Sequence, residues 1–401
     1  MNMMQHHQDD RGRLPDLALF QTKALDTPIN LIPPAQIDQA DAGELANVGI
    51  LLGDRTRSAT MLVRDHQPLC AAADTDMLEM LPIADALERY DWLRDNYFFK
   101  AVPADYDEVV ANCAKQKNPL GFFIRVREGA HITLPCQAAM FMAHENVAQM
   151  LHNVVILEDG AQLELITGCM THRTVTGGLH LAVEEYYIGK GAKLTSTMIH
   201  SWGSDVMVYP RTGTIVQENG RFESNYVSLR PAKQMVSDPQ TYLNGKGASA
   251  KYLTIVLSAP GSVVDTQGSV YLNAADTSAE LAHRGVCTGG AMYQGGLLIG
   301  NAPCKAHVDC AGMLLDQPGK GLIESIPGLQ SHHPDARMSH EASIGKIAPE
   351  QVEYLMSRGM SEREAISLLI RGFLGADIEG LGVELDARIA EIAEIAGHGE
   401  A

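Results

Sequence analysis

No run of about 18 apolar residues occurs in the 401-residue sequence, so nothing in it reads as a membrane-spanning helix. Aromatic residues are scarce, at 5%, which leaves the core to be filled by Ala, Val, Ile, Leu and Met. Positive charge is short as well: 31 Lys and Arg stand against 49 Asp and Glu, a formal net charge of −18. A nucleic-acid binder needs a basic footprint to displace counterions from phosphates, and no Lys/Arg cluster supplies one. The same deficit disfavours an anionic membrane surface. The seven cysteines, at 70, 113, 136, 169, 287, 304 and 310, are odd in number and scattered, unlike a disulfide framework. The opening MNMMQHHQDD lacks the apolar centre of a secretion signal, so the expected location is the cytoplasm. G-x-S-x-G, P-loop, H-E-x-x-H and G-x-G-x-x-G motifs are all missing, which leaves any use of ATP to a partner.

What the chain has in quantity is glycine, 37 residues of it, and the pattern changes along its length. Residues 1–120 read as an α-rich lead-in. Ile83–Lys100 places Leu87, Tyr90, Leu93 and Phe98 near one face at helical spacing, Pro103 interrupts it, and Tyr106–Gln116 resumes a helix. From Gly121 to residue 343 the text becomes short β-branched runs: GFFIRV, ITLPCQAAMFM, NVVILEDGAQLELI and LTSTMIHSW. REGAHI, EDGAQL, GKGAKL, ENGRFE and GKGASA put a glycine at 129, 160, 191, 220 and 247, and AADTSAEL near 275 continues the rhythm without one. A loose repeat of about 30 residues made of strand and turn predicts a parallel β-helix whose coils return through glycine corners. A β-sandwich with glycine hairpins is the competing arrangement.

Residues 344–401 return to helical text. Pro349 suits the first position of a helix carrying Val352, Leu355 and Met356, which Gly359 stops. Ser361-Glu362-Arg363-Glu364 is a capping-box pattern opening a second helix with Ile366, Leu369, Ile370 and Phe373. LDARIAEIAEIAG, 385–397, predicts a third.

The densest group of metal-capable side chains lies between Cys304 and Glu341. Cys304-x-x-His307-x-x-Cys310 resembles a zinc spacing, but in a strand His307 would point away from the two cysteines. Those cysteines would stand about 20 Å apart, too far to share one tetrahedral ion. His332, His333 and Asp335 offer an alternative, a metal-dependent hydrolase built on a β-helix. A lone Cys in a β-rich core otherwise behaves as a small apolar residue.

The segment MSHEASIGKIAPEQVEYLMSRGMSEREAISLLIRGFL, from Met338, resembles the C-terminal signature of the SufB/SufD scaffold proteins. The likeness extends through CAGMLL (310–315), LITGCMTH (165–172) and LHLAVEEYYIGKGAKLTSTMIHSW (179–202), covering roughly 95–375. It implies a mainly β protein, a right-handed parallel β-helix between two α-helical regions. The role it implies is non-enzymatic: a scaffold for an iron–sulfur cluster, transiently bound and of the [4Fe–4S] type. Implied partners are a SufC-type ABC ATPase docked on the C-terminal helices, a second copy or a SufD-like paralogue, a sulfur donor and an iron source. By the same resemblance Cys310 occupies the position of the cluster cysteine, Glu341 that of the cluster glutamate, and His340 that of the histidine presented by the SufD branch. Cys169 matches the cysteine of sulfur entry. The chain lacks the N-terminal cysteine cluster of longer SufB proteins, and its loop between Cys310 and Glu341 is about two residues longer than usual. A SufD-like structural role without a cluster is the alternative within the family.

Overall fold

The glycine corners stack, and that stacking sets the architecture. Gly129, Gly160, Gly191 and Gly247 have positive φ (66°, 72°, 64° and 70°), a conformation that glycine adopts freely for want of a Cβ. In the ENGRFE coil the position falls one residue earlier, on Asn219 (φ 55°), and in AADTSAEL it falls on Asp276 (φ 62°). Asn and Asp tolerate this region best among the other residues. The N–H of each corner residue donates to a carbonyl one coil further on. Gly129 reaches Asp159, Gly160 Lys190, Gly191 Glu218, Asn219 Lys246, Gly247 Ala275 and Asp276 Pro303, all at 2.8–3.0 Å. Beside this column runs an amide ladder, in which Asn301 donates to Asn273 and Asn273 to Asn244, both at 2.8 Å.

The structure is a computed structural model that describes residues 13–22, 31–52, 56–73, 75–315 and 320–375. The first part holds α1 (Gln39–Ala46), β1 (Ala59–Arg64), β2 (Gln67–Ala73), β3 (Leu78–Pro82), α2 (Ile83–Arg89), α3 (Asp91–Asn96) and α4 (Glu108–Ala114). The coils begin with β4 (Phe122–Val126), β5 (Cys136–Met142), β6 (Val147–Leu157), β7 (Gln162–Thr171), β8 (Gly177–Ile188) and β9 (Lys193–Ser201). They continue through β10 (Asp205–Val216), β11 (Arg221–Arg230), β12 (Gln234–Leu243), β13 (Ser249–Ser258), β14 (Val263–Thr266) and β15 (Ser269–Leu272). The last coils are β16 (Thr277–Cys287), β17 (Gly290–Gly300), β18 (Cys304–Leu314), β19 (Gly321–Ser331) and β20 (Ala336–Gly345), followed by α5 (Pro349–Ser357) and α6 (Glu362–Leu374).

Successive coil strands alternate between two sheets. One runs β2-β1-β5-β7-β9-β11-β13-β16-β18-β20; the other runs from β3 and β4 through β6, β8, β10 and β12 to β17 and β19, with β14 and β15 between β12 and β17. Within the coils every pairing is parallel, and the whole is a mainly β protein, 51% strand and 16% helix, with a parallel solenoid of about 8 turns and helices at the termini. The β-sandwich alternative is thereby set aside. Among the described residues no helix is long and apolar enough to cross a membrane.

The lead-in differs from the α-rich expectation over 1–120. Residues 59–82 hold three strands, and β1 extends the first sheet in parallel with β5. The run ATMLVR was not legible as a strand because both its faces are covered: Met61 and Val63 join the core between the sheets, while Leu62 packs with Leu45, Val48 and Ile50 outside. A strand buried on both faces shows no alternation. The helix over 83–100 is broken at Tyr90, which is extended (φ −128°, ψ 96°) and donates its hydroxyl to Glu79 Oε1 at 2.5 Å.

At the other end, Ser361 and Glu364 form both halves of the capping box of α6, and Gly375 (φ 61°) ends it. Ile366, Ile370 and Leu374 bury against the outer face of the first sheet with Ile255, Leu257 and Val286, and Val352 and Phe373 pack on the same cluster. Much of the expected docking stripe thus serves the protein's own sheet; the apolar side chains left exposed are Tyr354, Met356 and Leu368. The helix expected over 385–397 lies outside the described residues.

Candidate functional site

Along β18, Cys304, Ala306, Val308 and Cys310 are buried while Lys305, His307 and Asp309 between them are not. The strand alternation therefore splits the C-x-x-H-x-x-C spacing: both cysteines face the interior and His307 faces out, where its Nδ1 lies 2.8 Å from Ser339 Oγ. Cys304 and Cys310, six residues apart on one continuous strand, are separated by about 20 Å and cannot share one ion. His332, His333 and Asp335 fall in and beside the turn between β19 and β20, where His333 Nδ1 accepts from the Asp335 N–H at 3.1 Å. Among the described residues no group of three His, Cys, Asp or Glu side chains could hold a metal ion.

Cys310 sits in register with His283 on β16 and with Ala342 on β20. It is fully buried, and burial, helped by the Asp309 carboxylate, pushes its thiol up to about 12. His340 is in register with Val308, so it shares the inward face and stands diagonally from Cys310. Ile344 confirms the phase of β20: a Cβ on inward-facing Gly312 would lie 3.4 Å from its side chain. Glu341 is in register with Asp309 and so faces outward. There Asp309 is held by Arg284 in an ion pair of 2.5 Å. The structure thus brings His340 to the face of Cys310 and sets Glu341 on the other. Both are exposed, because β20 closes the first sheet and its far edge has no neighbouring strand among the described residues.

Cys169 lies at the same inward phase on β7, in register with His200 on β9. It is buried, and burial together with the nearby Glu184 carboxylate raises its thiol well above the ordinary range. Around it the interior is polar. His200 Nδ1 meets the Tyr226 hydroxyl at 2.7 Å, and Tyr186 donates to Glu184 at 3.2 Å. Burial raises Glu184 to about 7. Five strand steps separate β7 from β18, about 24 Å, so Cys169 and Cys310 cannot touch one small ligand together.

His283, Glu184 and His200 were not singled out from the sequence. The signal that would have found His283 is the repeat itself: stepping back one coil of 27 to 31 residues from Cys310 reaches 279–283.

This geometry can be set beside known proteins. Residues 140–373 match the family model described as SUF system FeS cluster assembly, SufBD core domain. The chain belongs to the SufBD family. It is 38% identical over 357 residues to an iron-sulfur cluster assembly SufBD family protein of Archaeoglobus fulgidus, covering 89% of this chain and 95% of the relative. A SufBD family protein of Methanothermobacter thermautotrophicus is 38% identical over 356 residues, covering 88% of this chain and 86% of the relative. One from Pyrococcus horikoshii is 29% identical over 324 residues, covering 80% and 72%. Membership of the SufBD family supports a role in iron–sulfur cluster assembly.

Proposed function

We propose that this chain is a non-enzymatic scaffold on which iron and sulfide are joined into a cluster, held transiently at the C-terminal end of the solenoid and then handed on. The observation that carries the reading is the placement of Cys310 one strand from the open end of the sheet, with His340 on the same face. Thiolate sulfur is the standard iron ligand in such clusters. Imidazole and carboxylate hold iron less firmly than a second thiolate, which suits a scaffold that must release its product. Two donors from one face cannot complete a [4Fe–4S] cube, so a second chain supplies the rest.

The open edge of β20 and the exposed Leu322, Leu329 and Ile344 on the last strands support pairing with a second copy or a SufD-like paralogue there. In such a pair Glu341, on the outer face, is a carboxylate ligand available to a cluster shared between chains. Tyr354, Met356 and Leu368 on α5 and α6 support docking of a SufC-type ABC ATPase. Cys169 is the point of sulfur entry, fed by a separate donor. Anaerobic reconstitution of the purified chain with iron and sulfide tests the scaffold role: a brown, sulfide-containing protein is expected, and a colourless protein with no bound iron, alone or with the ATPase, overturns it.

A further inference from the structure

We propose that His283 is a metal-holding residue, its imidazole and the Cys310 thiolate forming a two-donor site that takes a divalent transition metal, ferrous iron, before sulfide arrives. The proposal rests on the reading of Cys310 as a ligand and adds a residue to it.

Three observations carry it. His283 and Cys310 are register partners on adjacent parallel strands and both face the interior, which sets their Cα atoms about 4.8 Å apart with side chains abreast. His283 is only 4% exposed, yet among the described residues neither of its ring nitrogens has a hydrogen-bond partner. Buried polar groups are nearly always satisfied, so an imidazole with two unused nitrogens beside a thiol needs a reason. The facing sheet repeats the pattern. Gln294 spends its amide N–H on Ser325 Oγ at 2.9 Å, and among the described residues its Oε1 has no partner, nor has the hydroxyl of its register neighbour Thr266. That Oε1 is turned towards β16, since a Cβ on Gly285, two residues beyond His283, would meet it at 2.8 Å. Imidazole nitrogen and thiolate sulfur form a donor pair for a first-row transition metal, not for magnesium or calcium.

Binding replaces the Cys310 S–H bond with a sulfur–metal bond and releases one proton to solvent; no electron is transferred. Remaining positions on the metal are left for water and then for incoming sulfide.

The test uses the full chain under anaerobic conditions with cobalt(II) as the probe, whose bond to a thiolate gives a charge-transfer absorption. The parent should show this band at one cobalt per chain, and ferrous iron should compete it away. Cys310→Ser should lose the band. His283→Leu should bind cobalt more than about tenfold more weakly, since even outer partners of a metal ligand cost that much. Its melting temperature should equal or exceed the parent's, because an unsatisfied buried imidazole has been replaced by an apolar side chain. A merely structural histidine would give the opposite pair of results. His283→Gln, closer in shape, provides the same comparison should the leucine variant fail to fold. If both His283 variants keep the parent's affinity and band while Cys310→Ser loses it, the role of His283 is overturned and that of Cys310 stands. If Cys310→Ser also keeps the band, the reading of Cys310 falls with it.

Discussion

Glu341 lies opposite Asp309, not opposite Cys310, although Cys310 and Glu341 stand on adjacent strands. The offset is one residue, and in a strand one residue is the difference between the two faces of a sheet. His340 takes the inward phase instead. Within one chain the thiol therefore has an imidazole for company, and the carboxylate of Glu341 looks out beside Asp309 and its ion pair with Arg284.

The first expectation follows from that phase. Cys310→Ala should lose most of the iron and sulfide bound after reconstitution, His340→Ala a substantial part, and Glu341→Ala less than His340→Ala in the isolated chain. Adding the paired chain should make the Glu341→Ala deficit larger. Iron and sulfide per chain measure all three, and equal iron in the parent and Cys310→Ala would remove the thiol from the site.

A second concerns the joint between lead-in and solenoid. The buried Glu185 carboxylate accepts from the backbone N–H groups of Phe99, Lys100, Ala101 and Val102 at 2.6–3.1 Å, and it lies 2.7 Å from His152 Nε2. Phe99 holds a positive φ of 57° to present its N–H. Glu185→Ala strands these donors, and a loss of about 3–5 kcal/mol is expected by denaturant unfolding. Limited proteolysis near residues 97–103 should speed up, whereas unchanged cleavage would show that the clamp is redundant.

Stability should also depend on pH through the polar interior. Burial lowers His180 to about 3 and His283 to about 4, from 6.5. As pH falls from about 6.5 towards 4, the unfolded chain takes up protons that the folded chain refuses, and stability drops by up to about 1.4 kcal/mol per unit for each histidine. Glu184 has the opposite sign. Burial raises it from 4.5 to about 7, so between those values the folded chain keeps a proton that the unfolded chain has lost, and stability falls as pH rises. Glu184→Gln removes that second slope. The variant should be about 1–3 kcal/mol more stable than the parent at pH 8 and lose stability more steeply on acidification. Thermal melts from pH 4 to 8 measure both slopes; parallel profiles would mean that Glu184 ionises without cost.

The helical pair should separate into two surfaces. Ile370→Ala, at a site fully buried against the first sheet, should cost about 2–5 kcal/mol. Met356→Glu and Leu368→Glu lie on exposed positions, so they should leave the melting temperature within a few degrees of the parent's and yet weaken capture of the ATPase. Capture at parental strength by both variants would move the docking surface elsewhere.

What the sequence alone determined is what depends on neighbours in the chain. A left-handed corner favours Gly, Asn or Asp whatever surrounds it, so the column from Gly129 to Asp276 was legible, and Asn219 merely moved it by one residue. The capping box at Ser361 and Glu364 closes within four residues and formed as read. The β-helix followed from the repetition of such corners. Tertiary structure alone decided which side chains meet. Coils of unequal length bring residues into register from strands about 30 positions apart, and a change of one residue in any coil turns a side chain from the interior to the surface. That is why Cys310 is paired with His283, and why Glu341 is carried to the opposite face. It is also why β1, covered on both sides and so without a period of two, could be recognised only once its neighbours were in place.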